Sequence, residues 1–156
     1  MHQVLTLNAL NDSVVTSDRA DKNTLGKFSN KLDKICRKNK IPIFSGLFDY
    51  THYSLDRSGI PLPEGMSLND EFMAKHGKWF NAKDVYNDIT RLNALLKSQP
   101  ARFGFFNNQY LQILLELEEC INFTEIAKTK GYMVNISKTI PGGGCVHGVG
   151  YGHGFQ

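Results

Sequence analysis

The side chains best suited to binding a metal ion lie in the glycine-rich C-terminal segment of the chain. Cys145 and His147 are separated by one residue, and His153 follows in the same segment. Thiol and imidazole groups are typical zinc ligands, and glycine would allow a short loop to wrap around the ion. A closed site needs a fourth ligand, for which His2 or His76 is the candidate. The spacing matches no familiar zinc motif, so we expect an arm without metal, with zinc binding as the alternative.

An aspartate and a histidine lie close together in the loop sequence FDYTHYSLD. Asp49 and His52 could form an acid/base pair, since histidine changes its charge near neutral pH. No activated nucleophile accompanies the pair, because Ser45 lacks the G-x-S-x-G elbow. Cys36 and Cys120 fall on apolar helix stripes, where buried, unreactive thiols are expected. The sequence therefore favours a protein without catalytic activity, and an enzyme using this loop and the C-terminal segment is the alternative.

Aromatic side chains in two segments are candidates for contact with another protein. Tyr50, His52 and Tyr53 belong to the loop described above, and Trp79 is the only tryptophan. Tyrosine and tryptophan are enriched at the energetic centres of interfaces. The competing interpretation is internal packing, because Phe80 precedes a helix cap, where an apolar residue commonly packs on the first turn. We expect the loop and the Trp79 region to form a partner-binding surface.

Helical periodicity predicts the elements that position these residues. Apolar residues recur at helical spacing in NTLGKFSNKLDKICRKNK, which predicts an amphipathic helix that begins near Asn23 or Thr24. A short helix is expected between Ser67 and Gly77. The two strongest helix predictions have clear boundary signals: one begins at Asn81 and is closed by Pro100, and the other runs from about Asn108 to a left-handed Gly131.

Strand patterns occur near the two ends of the chain. QVLTLNAL and YMVNISKTI alternate like strands, and the segment NDSVVTSDRADKN after the first is expected to be a polar loop. The strands are expected to pair with each other against the helices. The predicted fold is thus a mainly helical α+β domain over residues 1–140 with a small terminal sheet, followed by a glycine-rich arm over residues 141–156.

The net charge of the chain is small but unevenly distributed. Lys and Arg number 18 against 15 Asp and Glu, which gives a formal charge of +3. Basic residues crowd positions 22–40, and glutamates crowd positions 116–125. Both segments are expected to be solvated helix faces that complement each other or face water. Nucleic acid is not an expected partner, because aromatic residues are not interleaved with the basic run.

The sequence carries no signal for secretion or for a membrane. The N-terminal segment MHQVLTLNALNDSVV lacks the pattern of a signal peptide, and no window approaches the ~20 apolar residues of a spanning helix. The three cysteines are too few and too widely spaced for a disulfide framework. A cytoplasmic location without a membrane partner is therefore expected.

Two stretches of the chain resemble a loose set of small bacterial proteins of unknown function. Those proteins have a P-x-x-S-x-F loop and a W-F-[DN]-A helix start. The corresponding segments here are LDKICRKNKIPIFSGLFDY, in which the loop reads PIFSGLF, and KWFNAKDVYNDITRLNALLKSQP. Most matching positions are those of a helix cap and core: Leu32, Cys36, Pro42, Ser45, Phe48, Trp79, Phe80, Asn81, Leu95 and Leu96. The resemblance implies a bacterial cytoplasmic domain and assigns no catalytic residue.

Taken together, these patterns favour a non-enzymatic protein-binding module. Immunity proteins, which neutralise toxins, are a bacterial class of this size that performs no chemistry, although this link is by analogy. One alternative is a metal-binding protein or enzyme that uses Cys145, His147, His153 and the Asp49–His52 loop. A second alternative is a small-molecule sensor with an apolar pocket beneath residues 41–66.

Overall fold

The computed structural model describes residues 4–18, 20–51 and 70–139. Within these ranges the chain forms five strands and five helices. The strands are β1 (Val4–Asn11), β2 (Val14–Ser17), β3 (Phe48–Asp49), β4 (Phe80–Asn81) and β5 (Met133–Thr139). The helices are α1 (Asn23–Lys27), α2 (Ser29–Lys38), α3 (Asp70–His76), α4 (Ala82–Ser98) and α5 (Tyr110–Lys130), and a 3₁₀ turn covers Phe44–Leu47. The predicted α+β class is confirmed.

Strand β5 is the centre of the sheet. It pairs antiparallel with β1 along its whole length, from Val4 opposite Thr139 to Leu10 opposite Met133. The predicted pairing of the two terminal strands is therefore confirmed. On the other edge of β5, β3 pairs in parallel at residues 136–137 and β4 pairs antiparallel at residues 133–134. These two short strands bring residues 50–51 next to the segment before α4.

The polar loop expected after the first strand is in part a strand, so that prediction was wrong. Val14–Ser17 forms β2 and pairs antiparallel with β1 across a two-residue turn at Asp12 and Ser13. Asp12 has a φ of 57°, a conformation that aspartate tolerates better than most residues and that tight hairpin turns require. The β-branched Val14 and Val15 then favour continuation as a strand.

The boundaries of the two long helices agree with their sequence signals. The Asn81 side chain accepts a hydrogen bond of 2.9 Å from the Lys83 N–H and caps α4. Gly131 ends α5 with a φ of 73°, the left-handed conformation that glycine adopts without steric cost. The single helix predicted from Asn23 is instead two helices, because the backbone at Phe28 departs from helical geometry between α1 and α2.

The core lies between one face of the sheet and the helices. Alternating residues of β1 and β5, among them Leu5, Leu7 and Ile136, are buried against the helices. Cys36 and Cys120 are buried in the same core, as expected from their helix stripes, and burial raises the pKa of the Cys120 thiol to about 12. The opposite face of the sheet presents polar side chains, and α3 lies against it at β2.

The basic and acidic segments are not uniformly solvated, which corrects the sequence expectation. Lys22 is fully buried and its ammonium lies 2.9 Å from Asp18 and 3.2 Å from Glu119. Burial lowers the pKa of Lys22, but the hydrogen bond and charge of Asp18, together with Glu119, raise it overall. Glu116 is also buried, and its carboxylate accepts hydrogen bonds from the first N–H groups of α1. These contacts fix α1 against α5.

Candidate functional site

Two of the predicted partner-binding residues lie at the same edge of the sheet. Tyr50 follows β3 directly and is 41% exposed. Trp79 precedes β4 and is half-buried, and its indole N–H donates a 2.9 Å hydrogen bond to the Met73 carbonyl of α3. His52 and Tyr53 lie outside the described residues. The pairing of Asp49 with His52 and the predicted surface formed with Tyr53 thus remain predictions.

The predicted metal ligands are also mostly beyond the described ranges. Cys145, His147, His153 and His2 lie outside them, so zinc binding at the C-terminal segment remains a prediction. The fourth-ligand candidate His76 ends α3, where its ring packs against Phe72 at a centroid distance of 4.6 Å. Within residues 4–18, 20–51 and 70–139, no group of three or more potential ligands is placed to hold a metal ion.

Asp49 is a buried carboxylate whose oxygens are fully used. Its side chain is on the polar face of the sheet, because Asp49 lies opposite Ser137 in the β3–β5 pairing. Oδ1 accepts hydrogen bonds from the N–H and hydroxyl of Thr51, at 2.8 and 2.5 Å. Oδ2 accepts from the Lys78 N–H at 2.9 Å and from the Asn135 side-chain amide at 2.5 Å. These donors occupy about four acceptor positions, which is the capacity of a carboxylate.

The hydrogen bonds of Asp49 extend across the sheet. Asn8 donates to Asn135 Oδ1 at 2.8 Å, the Ser137 hydroxyl donates to the same oxygen at 2.6 Å, and Ser17 donates to Asn8 Oδ1. Four strands are thereby joined on one face. We refer to this group as the polar network: Asn8, Ser17, Asp49, Thr51, Asn135 and Ser137.

The hydrogen bonds of the polar network hold β1, β2, β3 and β5 in register on one face of the sheet. Each carbonyl and carboxylate oxygen in it accepts from a donor in the same network or in the backbone, as buried polar groups generally require. Asn135 is fully buried and also donates to the Lys78 carbonyl at 2.9 Å, so it fixes the loop before β4 to β5. The hydroxyl groups of Thr51, Ser137 and Ser17 each donate to an oxygen atom within the network.

On the core side of β5, Lys138 is enclosed without a carboxylate in direct contact among the described residues. Its ammonium lies 3.4 Å from the Ser29 hydroxyl and 5.2 Å from the centre of the Phe48 ring. Burial lowers the pKa of Lys138, and the charge of Asp33 offsets this only in part. Asp33 itself accepts hydrogen bonds from the N–H and hydroxyl of Ser45. Sequence reasoning missed this lysine, because a single basic residue in a strand gives no signal of its burial.

A second region that the sequence did not predict is a group of highly exposed apolar side chains. Phe105 and Phe106, in the loop between α4 and α5, are 86% and 88% exposed. Their rings meet edge to face with centroids 4.9 Å apart. Leu111 and Leu115, on the first two turns of α5, are 75% and 52% exposed. We refer to these four residues as the aromatic surface.

The loop that carries the two phenylalanines is held by specific hydrogen bonds. The Asn108 side-chain oxygen accepts from the N–H groups of Phe103 and Tyr110, and the Arg102 guanidinium donates to the Phe105 carbonyl at 3.0 Å. Gly104 has a φ of 104°, and a Cβ at this position would lie 2.5 Å from the Asn107 carbonyl oxygen. The chain therefore requires glycine here and presents both rings outward from a defined backbone.

Lysines of the two N-terminal helices lie beside the aromatic surface. The Lys31 ammonium donates to the Arg102 carbonyl and lies 5.1 Å from the centre of the buried Phe103 ring. Phe103 in turn contacts Phe28, over which Lys27 lies. We refer to the exposed residues Lys27, Lys31, Lys34 and Lys38 as the lysine stripe. The only acidic residue between positions 22 and 40 is Asp33, which is buried, so this stripe is not neutralised within its own helices.

Comparison with known proteins gives no relative from which a role could be transferred. No protein-family model matches the chain, and no curated protein or solved structure matches it significantly. Within the described ranges, no helix has the length and apolar character needed to cross a membrane.

Proposed function

We propose that the protein is a non-enzymatic protein-binding module and that its contact surface is the aromatic surface. The observation that carries the proposal is the exposure of Phe105 and Phe106 on a loop whose backbone is fixed by Asn108 and Gly104. Burying a phenylalanine side chain stabilises a protein by about 2 kcal/mol. Neither Phe105 nor Phe106 contributes this stabilisation in the free molecule, because both rings are exposed. Rigid, exposed aromatic side chains are typical of the residues that dominate binding energies.

The absence of catalysis in this proposal is supported by the hydrogen bonds that the buried polar side chains form within the protein. Asp49 and Asn135 form hydrogen bonds within the protein through their side chains, and the thiols of Cys36 and Cys120 are buried. Asp49 and Asn135 join β3 to β5 and to the segment before β4, and the two thiols lie within the core. Neutralisation of a toxin would be one instance of such binding.

The surface predicted from sequence, around Tyr50 and Trp79, is the competing location for the contact. Tyr50 is less exposed than either Phe105 or Phe106, and the indole N–H of Trp79 is already bonded to Met73. A partner would therefore gain less buried apolar area at this edge of the sheet. We assign the main contact to the aromatic surface for this reason.

Photocrosslinking followed by binding measurements tests the assignment. A benzophenone amino acid replaces Phe106 or Tyr50 in the full-length protein, and the captured protein is identified and purified. The dissociation constant is then measured by calorimetry with F105A/F106A, with Y50A and with V14A, a control that removes an exposed apolar side chain elsewhere. The proposal expects a loss of about 30-fold for F105A/F106A and less than threefold for the other two. A loss confined to Y50A would reject the aromatic surface as the contact.

A further inference from the structure

The two sides of the aromatic surface carry opposite charges. On α5, Glu119 is directed toward α1, because its carboxylate lies 3.2 Å from the Lys22 ammonium. At 3.6 residues per turn, the order around the helix from that side is Glu119, Leu115, Leu111, Glu118 and Glu125. Glu118 and Glu125 are exposed. Glu118 lies about 5 Å along the axis beyond Leu115 on the side away from α1, and Glu125 lies about 10 Å further toward the end of α5.

The other border of the aromatic surface is basic. The residue before α1, Lys22, lies on the Glu119 side of α5, and the bond from Lys31 to the Arg102 carbonyl places Lys31 beside the loop that carries Phe105 and Phe106. Lys34 and Lys38 follow Lys31 along the exposed side of α2. Lys31 therefore lies at the loop end of the aromatic surface and Glu118 at its α5 end, with the other lysines of the stripe and Glu125 extending beyond them. A complementary partner must therefore place carboxylates opposite the lysines, apolar side chains opposite the apolar centre, and ammonium groups opposite the glutamates.

We infer that the partner at the aromatic surface is a second copy of this chain, joined in a two-fold symmetric dimer. A two-fold axis through the aromatic surface places its apolar centre on the same centre of the other copy. The same rotation places the lysine stripe of each copy over Glu118 and Glu125 of the other. This inference rests on the proposed function, because it names the occupant of the proposed contact surface.

The chemistry of the surface agrees with self-association. Phe105 and Phe106 meet at an interplanar angle of 83°, which leaves ring faces and edges open for the same pair from the second copy. The opposed charges at the rim select the two-fold orientation, since any rotation that placed like borders together would be repulsive. Because the rim is exposed, added salt is expected to weaken the dimer.

Sedimentation equilibrium of the full-length protein tests the apolar centre. The wild-type chain is expected to show a concentration-dependent monomer–dimer equilibrium. F105A/F106A should raise the dimer dissociation constant by about 30-fold or more, whereas V14A should leave it within threefold. Circular dichroism verifies that each variant is folded. A wild-type chain that remains monomeric up to several hundred micromolar, or an F105A/F106A variant that dimerises like wild type, would overturn the inference.

Charge exchange tests the two-fold arrangement independently. One variant carries K31E/K34E and a second carries E118K/E125K, so that each alone places like charges across the axis. Both are expected to be monomeric, while an equimolar mixture restores both sets of opposite charges and forms a heterodimer. The control mixture combines K31E/K34E with K97E, which lies at the exposed end of α4. A mixture of the first two variants that stays monomeric would reject the arrangement.

These experiments separate failure of the dimer from failure of the proposed function. If the wild-type chain is monomeric and F105A/F106A still loses the crosslinked partner, the second copy is wrong and a different protein occupies the aromatic surface. If F105A/F106A affects neither self-association nor the partner, the proposed function itself fails at this surface.

Discussion

The polar network and the aromatic surface place their side chains in environments opposite to those their chemistry would favour. The network buries Asp49 and Asn135, which are 3% and 0% exposed, whereas the aromatic surface exposes Phe105 and Phe106 almost completely. Both regions are held by well-formed hydrogen bonds, from Thr51 and Lys78 in the first and from Asn108 in the second. The order of each region is therefore built into the fold.

This contrast distinguishes a region that stabilises the fold from the region that we propose as a contact surface. A buried polar group is stable only when its hydrogen bonds are formed inside the molecule, so the network is complete in the single chain. An exposed phenylalanine gains its stabilisation only when another surface covers it. The aromatic surface is thus incomplete in the single chain. Changes to the network should alter stability, and changes to the aromatic surface should alter association.

The largest effect is expected from Asp49→Ala. It leaves the donors of Lys78, Thr51 and Asn135 without their acceptor inside the protein, which should lower the free energy of unfolding by about 3–5 kcal/mol. Urea denaturation followed by circular dichroism measures this loss. The matched control is Glu125→Ala, which removes an exposed carboxylate and should change the value by less than about 0.5 kcal/mol. Equal losses for the two variants would contradict a structural role for the network.

Asn135→Ala should cost about 2–3 kcal/mol, because it removes the amide that links Asp49 to Asn8 and to the Lys78 carbonyl. The double variant with Asp49→Ala should lose less than the sum of the single losses, by about 1 kcal/mol or more, since both belong to one network. A double-mutant cycle in urea gives this coupling. Strict additivity would show that the two side chains contribute separately.

A smaller effect of the opposite sign is expected from Lys138→Met. Burial lowers the pKa of Lys138 in the folded state below 10.5, so between that lowered pKa and 10.5 the unfolded chain binds more protons than the folded chain. The stability of the wild type should therefore rise as the pH increases through this window. Lys138→Met should remove that rise and increase the free energy of unfolding at pH 7 by about 1 kcal/mol. Parallel pH profiles for the two proteins would contradict the assignment.

The smallest effect on stability is expected from F105A/F106A. Both rings are exposed in the single chain, so at concentrations where it is monomeric their removal should change the free energy of unfolding by less than about 0.5 kcal/mol. The neighbouring Phe103→Ala should cost about 3–5 kcal/mol, because that ring is fully buried. Thermal and urea denaturation of the three proteins at low concentration provides the comparison. A large loss from F105A/F106A would mean that the pair supports the fold.

The sequence predicted those elements whose signals are local. Asn81 caps α4 because its side chain accepts a hydrogen bond at the helix start. Gly131 ends α5 because a residue without Cβ adopts the left-handed conformation there. Neither requirement depends on contacts distant in the chain. The helix stripes likewise predicted the burial of Cys36 and Cys120, because helical spacing alone determines which residues share a face.

The elements that were missed depend on partners distant in the chain. The two-residue strands β3 and β4 exist because β5 offers an edge to both, and neither has a pattern long enough to be detected. The burial of Lys22 and Glu116 was missed for the same reason. Both belong to segments rich in charged residues, for which the sequence predicts exposure, but they are enclosed where α1 meets α5. A residue's charge gives no indication of which long-range contact will enclose it.

The long helices and the two strand segments near the chain ends could be predicted from the amino-acid sequence, because periodicity and caps act over a few residues. The pairing of those two segments, and with it the α+β class, was predicted because no other segment had a strand pattern. In ARFGFFNN, by contrast, the tertiary contacts select one phenylalanine for the core and leave the other two facing solvent. That outcome depends on the turn at Gly104 and on the position of α2 beside it. Three phenylalanines in one short segment have the same hydrophobicity, and the space around each is defined by residues far away in the chain.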